Sequence, residues 1–211
     1  MSPHWTEPRL PRWLLALLVA GIGACSGPAQ REEPATTAQA DPVAASRYAG
    51  ALAVLAAGDD AQAQPLLQAL VLEYPDYSGP MVNLALLHSR RGEPGPATAL
   101  LERAVTTCTD CAAAWNALGV LQRQQGRFAD AEQSYLKALA ADAGYANAAF
   151  NLGVLYDLYL QRPELAMEQY LRFRQLLADD PAAGDVDKWI ADLQRRTRGV
   201  QRAVQAEATP P

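Results

Sequence analysis

Gly58, Gly92 and Gly126 stand 34 residues apart, and each separates two apolar-periodic stretches. A glycine there can end a helix in the left-handed conformation that other residues resist. Further columns keep the same period. Ala51, Ala85, Gly119 and Gly153 form one; Leu84, Leu118 and Leu152 form another, with Gly50 standing in the first unit. Ala63, Ala97 and Ala131 align beyond the glycines, followed four residues later by Leu67, Leu101 and Tyr135. A small side chain lets two helices approach closely, and a larger one a turn further on fills the gap. Several columns in one register predict stacked helix pairs, each burying its apolar face against its neighbours.

The predicted units run over 44–77, 78–111, 112–145 and 146–181. The third contains Trp115-Asn116-Ala117-Leu118-Gly119, then Gly126-Arg127-Phe128, Ala131, Tyr135 and Ala138. These residues resemble the tetratricopeptide repeat (TPR). The resemblance implies an all-α fold, a right-handed α-α superhelix of about four helix pairs with a C-terminal capping helix at 182–205. A disordered tail is expected at 206–211. The fourth unit begins with Phe150-Asn151-Leu152-Gly153 and Tyr156 and then departs from the pattern. Leu160 replaces the turn glycine, and Ala166, Tyr170 and Phe173 come one residue late. A one-residue insertion is therefore expected near Gln161-Arg162, with Pro163 at the first helical position and the helix continuing to Asp179. The first unit lacks the Trp and Leu-Gly residues and has Pro65 near the first turn of its second helix, as a degenerate cap would. Asp185 is the expected N-cap of the last helix, which runs to about Ala203. Its stripe of Trp189, Ile190 and Leu193 would seal the open solenoid end, with Arg195, Arg196, Arg198 and Arg202 on its later turns.

Ahead of the repeats, Met1 to Ala24 reads as an export signal: Arg9 and Arg12, then an apolar run from Trp13 to Ile22 too short for a comfortable membrane span of about 20 residues. The run ends Ile22-Gly23-Ala24-Cys25, which resembles the lipobox of bacterial lipoproteins. That resemblance implies cleavage before Cys25 and lipidation of that residue. Ser26 after the cysteine implies an outer-membrane lipoprotein facing the periplasm. Residues 25–43, rich in Pro, Ala, Thr and Gln, read as a flexible linker reaching roughly 24 Å.

The net charge of −5 argues against nucleic acid, which calls for a basic stripe. Only one motif suggests chemistry, Cys108-Thr109-Asp110-Cys111. Two thiols so spaced can form a disulfide, ligate a metal or exchange disulfides. A zinc site needs more ligands, and beyond the signal His88 is the lone histidine. A redox motif of the thioredoxin kind belongs between a strand and a helix, whereas this one lies between helix pairs. In an oxidising compartment the expectation is a local disulfide at the turn. His88 is expected as a half-buried spacer, and Asp179-Asp180 as a solvated helix end. No catalytic constellation, metal site or cofactor motif emerges, so the chain is expected not to be an enzyme.

In the TPR resemblance the first helix of each pair lines a concave side. The residues so placed are Tyr48, Leu52, Val82, Leu86, Asn116, Val120, Arg123, Phe150, Val154 and Asp157. Such a mostly apolar trough suits a helical or extended peptide. The Lys/Arg/Asn clamp of TPR chaperone adaptors is not reproduced, since Asn83 and Asn151 are ordinary consensus positions. The resemblance implies a scaffold that binds another cell-envelope protein in pilus, secretion or peptidoglycan machinery. Two alternatives stand beside it: a periplasmic chaperone for unfolded or helical clients, and a thiol-redox protein using Cys108 and Cys111.

Overall fold

The computed structural model describes residues 41–177 and 181–207, and these contain nine α-helices and no strand. Four successive pairs form: α1 (Pro42–Ala56) with α2 (Asp60–Glu73), α3 (Ser78–Arg90) with α4 (Pro94–Thr107), α5 (Ala112–Gln124) with α6 (Phe128–Ala141), and α7 (Ala146–Val154) with α8 (Pro163–Leu176). The last helix, α9 (Pro181–Glu207), packs on α8. An all-α helical-repeat solenoid is the result. Gly58, Gly92 and Gly126 turn the chain inside the first three pairs at φ of 81°, 73° and 76°, the left-handed region in which a Cβ is costly.

No pair owns its core. Ala51, Ala63 and Leu67 of the first pair share a cluster with Leu84 and Leu87 of α3, and Met81 and Leu101 of the second share one with Ala114 and Leu121 of α5. The column of small residues shows why this works. In the first two pairs Ala51 with Leu67, and Ala85 with Leu101, are fully buried or nearly so. In the next two the larger tyrosine forces the smaller residue: a Cβ on Gly119 would lie 2.6 Å from the Tyr135 ring, and one on Gly153 would lie 2.7 Å from Tyr170. The first helices α3, α5 and α7 also contact one another from pair to pair, which makes them the inner row.

The fourth pair contains the inserted residue, but not at Gln161-Arg162. It is taken up inside the helix, where Leu155–Tyr159 forms a single π-helical segment continuous with α7. A helix absorbs one extra residue as an i→i+5 turn without breaking. Gln161 then takes the left-handed role at φ 52°, 35 residues after Gly126, and Pro163 opens α8.

Other boundaries differ from the sequence expectation as well. α1 starts at Pro42, capped by Asp41, whose carboxylate accepts from Val43 N at 2.8 Å; the linker therefore ends before residue 43. Pro65 lies well inside α2, past its first turn, where the carbonyl it leaves without a donor belongs to the exposed Ala61. α8 ends at Leu176, short of Asp179. α9 begins at Pro181 rather than after an Asp185 cap and continues to Glu207, beyond Ala203 and into the expected tail. Proline costs nothing at a first helical position, and the isolated Gly184 costs only about 1 kcal/mol against alanine, so a helix can start early. Among the described residues no helix is long and apolar enough to cross a membrane. The signal segment Met1 to Ala24, the lipidation residue Cys25 and the linker up to residue 40 lie outside the described residues, as do Asp179-Asp180 and the tail from 208.

Candidate functional site

Spacings of four and three residues along each inner helix put the candidate residues on one face. The row is stitched from pair to pair. Asn83 Nδ2 donates to the Tyr48 hydroxyl, Ser89 Oγ to Gln124 Oε1 at 3.3 Å, and Asn151 Nδ2 to Asn116 Oδ1 at 2.9 Å. Each of these links spans 35 residues. Tyr48 and Asn116 are thus tied down as positioners of neighbouring helices. Burial pushes the Tyr48 hydroxyl up to about 12, with the nearby Tyr77 adding to the shift.

Between these ties the face is aliphatic. Leu52 is 39% exposed, and Val82, Leu86 and Val120 are half-buried. Helices α1, α3 and α5 thus present a trough of partly exposed side chains that can still lose water to a partner.

The fourth pair's share of that face is partly covered by α9. Trp189 of α9 packs at a tilt on Phe150 with ring centroids 5.3 Å apart and stands edge-on to Tyr170 at 5.6 Å. Arg196 Nη2 donates to Asp157 Oδ1 at 2.6 Å, and the Asp157 side chain is only 7% exposed. Val154, one turn from both Phe150 and Asp157, is itself buried at 7%. It belongs to the core rather than to an open trough, and Phe150 and Asp157 are held by the capping helix.

Arg123 differs from its neighbours. Its Nε donates to the Tyr135 hydroxyl and its Nη1 to the Tyr159 hydroxyl, both at 3.4 Å. The guanidinium also sits 5.5 Å from the Tyr159 ring centroid, and that ring packs 5.0 Å from Phe128. Its partners are neutral phenols.

Away from the trough, Cys108 caps the end of α4 and Cys111 the start of α5. A disulfide joins them with Cα atoms 5.4 Å apart. Ser78 Oγ lies 3.5 Å from Cys111 Sγ, and Trp115 Nε1 donates to Thr109 O at 2.7 Å under the Lys137 ammonium. The bridge therefore fixes the turn between the second and third pairs, with no strand beside it among the described residues. His88 is mostly buried beside Glu93 Oε2 at 2.5 Å.

Tyr159, Trp189 and Arg196 shape this site, yet sequence reasoning gave none of them a place in the trough. The one available signal was the single-residue slip of the fourth unit, which moves every later side chain by one position.

Residues 112–145 match the family model described as tetratricopeptide repeat. No curated protein matches the chain. Among solved structures, Pseudomonas aeruginosa pilF is similar at 23% identity over 80% of this chain and 77% of that one, with a TM-score of 0.65. YrrB, described as a TPR protein with an unusual peptide-binding site, is 20% identical over 69% of this chain and 74% of its own, TM-score 0.54. SycD, a type III secretion translocator chaperone of Yersinia enterocolitica, is 15% identical over 56% of this chain and 83% of its own, TM-score 0.53. These likenesses concern the fold.

Proposed function

We propose that this TPR-like solenoid is a scaffold of the bacterial cell envelope, anchored by lipid on Cys25 and facing the periplasm. It binds another envelope protein through the inner face of α1, α3 and α5. The observation that carries the reading is the open aliphatic trough of Leu52, Val82, Leu86 and Val120 on a frame already stitched rigid by Tyr48–Asn83 and Asn116–Asn151. A preorganised apolar groove binds without first being ordered, so little of the interaction is lost to entropy. Peptide binding in YrrB and the chaperone role of SycD support a protein-binding use of the same fold. Export and lipidation rest on the Ile22-Gly23-Ala24-Cys25 motif, and Ser26 after it favours an outer-membrane location.

The test places a photo-crosslinking side chain at Leu52, Leu86 or Val120 in intact cells. One defined envelope protein should be captured from all three positions, and from none placed at the exposed Ala99 or Ala140. Equal capture from both sets would overturn the reading. Palmitate labelling lost on Cys25→Ser tests the anchor separately.

A further inference from the structure

Among the described residues, Arg123 is a half-buried guanidinium on the inner row with no acidic side chain in ion-pairing distance. Arg47, Arg90, Arg127, Arg162, Arg174 and Arg196 each sit on a carboxylate. Of five N–H donors in the planar fork, Arg123 uses one on Nε and one on Nη1, both in long bonds to phenols; its Nη2 makes no hydrogen bond among the described residues. Tyr135 and Tyr159 fix the direction of the fork without neutralising it. Val120, on the same helix one turn away, continues the aliphatic surface. A cation already oriented and partly desolvated, beside apolar side chains, is complementary to a carboxylate carried on an apolar segment.

Resting on the reading of the inner face as a binding trough, we infer that Arg123 is the specificity-determining residue of that trough, and that the partner is a peptide segment with an Asp or Glu flanked by aliphatic side chains. The aliphatic residues lie along Val82, Leu86 and Val120, and the acidic one pairs with the Arg123 fork. A segment with Gln or Lys in place of the acid binds less well: the first loses the charge-assisted bonds, and the second brings two cations together.

The experiment displays random 12-residue peptides on phage against the full chain, and then measures synthetic versions of the enriched peptides by fluorescence anisotropy. The expected result is enrichment of aliphatic peptides carrying one acidic residue. Their affinity should fall about tenfold when that residue becomes its amide, and equally on Arg123→Gln, with no further loss when both changes are combined. Because Arg123→Gln could disturb folding, circular dichroism is recorded beside it, and Arg123→Glu is assayed with the Lys version of each peptide, which should regain binding. Enrichment of aliphatic peptides indifferent to the acid overturns this inference and leaves the trough standing. Absence of any enriched peptide, or enriched peptides untouched by Leu86→Asp, overturns the trough and the inference together.

Discussion

Arg123 and Tyr159 meet across 36 residues, one more than the 35 that separate Tyr48 from Asn83, Ser89 from Gln124 and Asn116 from Asn151. The extra residue of the π segment makes the difference. At the ordinary spacing Leu158 would face Arg123; the slip brings a hydroxyl and an aromatic ring to the guanidinium instead and leaves Leu158 61% exposed. A local irregularity in the repeat thus sets the chemistry of one point on the inner face, as π turns elsewhere do at sites of function.

Deleting Leu158 should therefore be tolerated. The helix would close to ordinary α geometry, and Tyr159 would fall at the 35-residue spacing, still opposite Arg123. Loss of one exposed side chain should change the unfolding free energy by no more than about 1 kcal/mol. Deleting Val120, in a helix with no residue to spare, should rotate all that follows it and abolish cooperative unfolding. Urea unfolding followed by circular dichroism distinguishes the two, and equal damage from both would mean that the π segment holds no surplus residue.

Gly119→Ala should destabilise the chain despite alanine's better helix propensity. The new methyl would meet Tyr135 at 2.6 Å, and overpacking of this kind costs about 1–3 kcal/mol. The first two pairs already contain the remedy, since Ala51 faces Leu67 and Ala85 faces Leu101. Adding Tyr135→Leu to Gly119→Ala should recover part of the loss, which thermal unfolding of the two single variants and the double would read. A double variant as unstable as the sum of the singles would contradict this.

These columns were legible in the sequence because small-to-large complementarity repeats at a fixed interval and needs no knowledge of distant parts. The position of the insertion was not. The slip between Gly153 and Ala166 says that one residue is extra, but Leu155-Tyr156-Asp157-Leu158-Tyr159 contains no glycine or proline to mark where the helix widens. Nor was the fate of the fourth unit's inner face legible. Phe150, Val154 and Asp157 occupy the right register for a trough, and only the path of α9 after Pro181 decides that Trp189 packs on Phe150 and Arg196 pairs with Asp157.

Removing the disulfide should cost stability without rearranging the stack. By the chain-entropy estimate a loop this short contributes on the order of 2 kcal/mol. The Cys108→Ser/Cys111→Ser variant should unfold at lower urea with an unchanged denaturant slope, and reductant should lower the wild-type midpoint to match. A changed slope would instead mean that the bridge holds the second and third pairs together.

High pH should weaken the fold through its buried phenols, Tyr48 in the first pair and Tyr156 and Tyr170 in the fourth among them. The Tyr48 hydroxyl, raised to about 12 chiefly by burial, stays protonated in the fold while the unfolded phenol ionises near 10. Its contribution is therefore complete below pH 10 and is lost as pH rises toward 12. Tyr48→Phe should make the decline over that window shallower, the other buried tyrosines keeping their share, and absorbance near 295 nm should show one fewer late-ionising tyrosine. A wild-type stability that stays level from pH 10 to 12 would refute the assignment.

The closure of the fourth pair can be tested through Asp157 and Arg196. Arg196→Met leaves a carboxylate that is 7% exposed without its cation. Breaking a fully buried pair costs about 3–5 kcal/mol, but Arg196 is itself half exposed and solvent screens it, so about 1–2 kcal/mol is expected. Asp157→Asn should then restore part of that loss in the double variant, because the stranded charge is gone. If the ion pair holds α9 down, Arg196→Met should also speed proteolysis beyond Lys188, and Asp157→Asn should slow it again. Should proteolysis respond only to Trp189→Ala, the aromatic contact with Phe150 is what seats the helix, and the ion pair merely neutralises a carboxylate that the fold had buried.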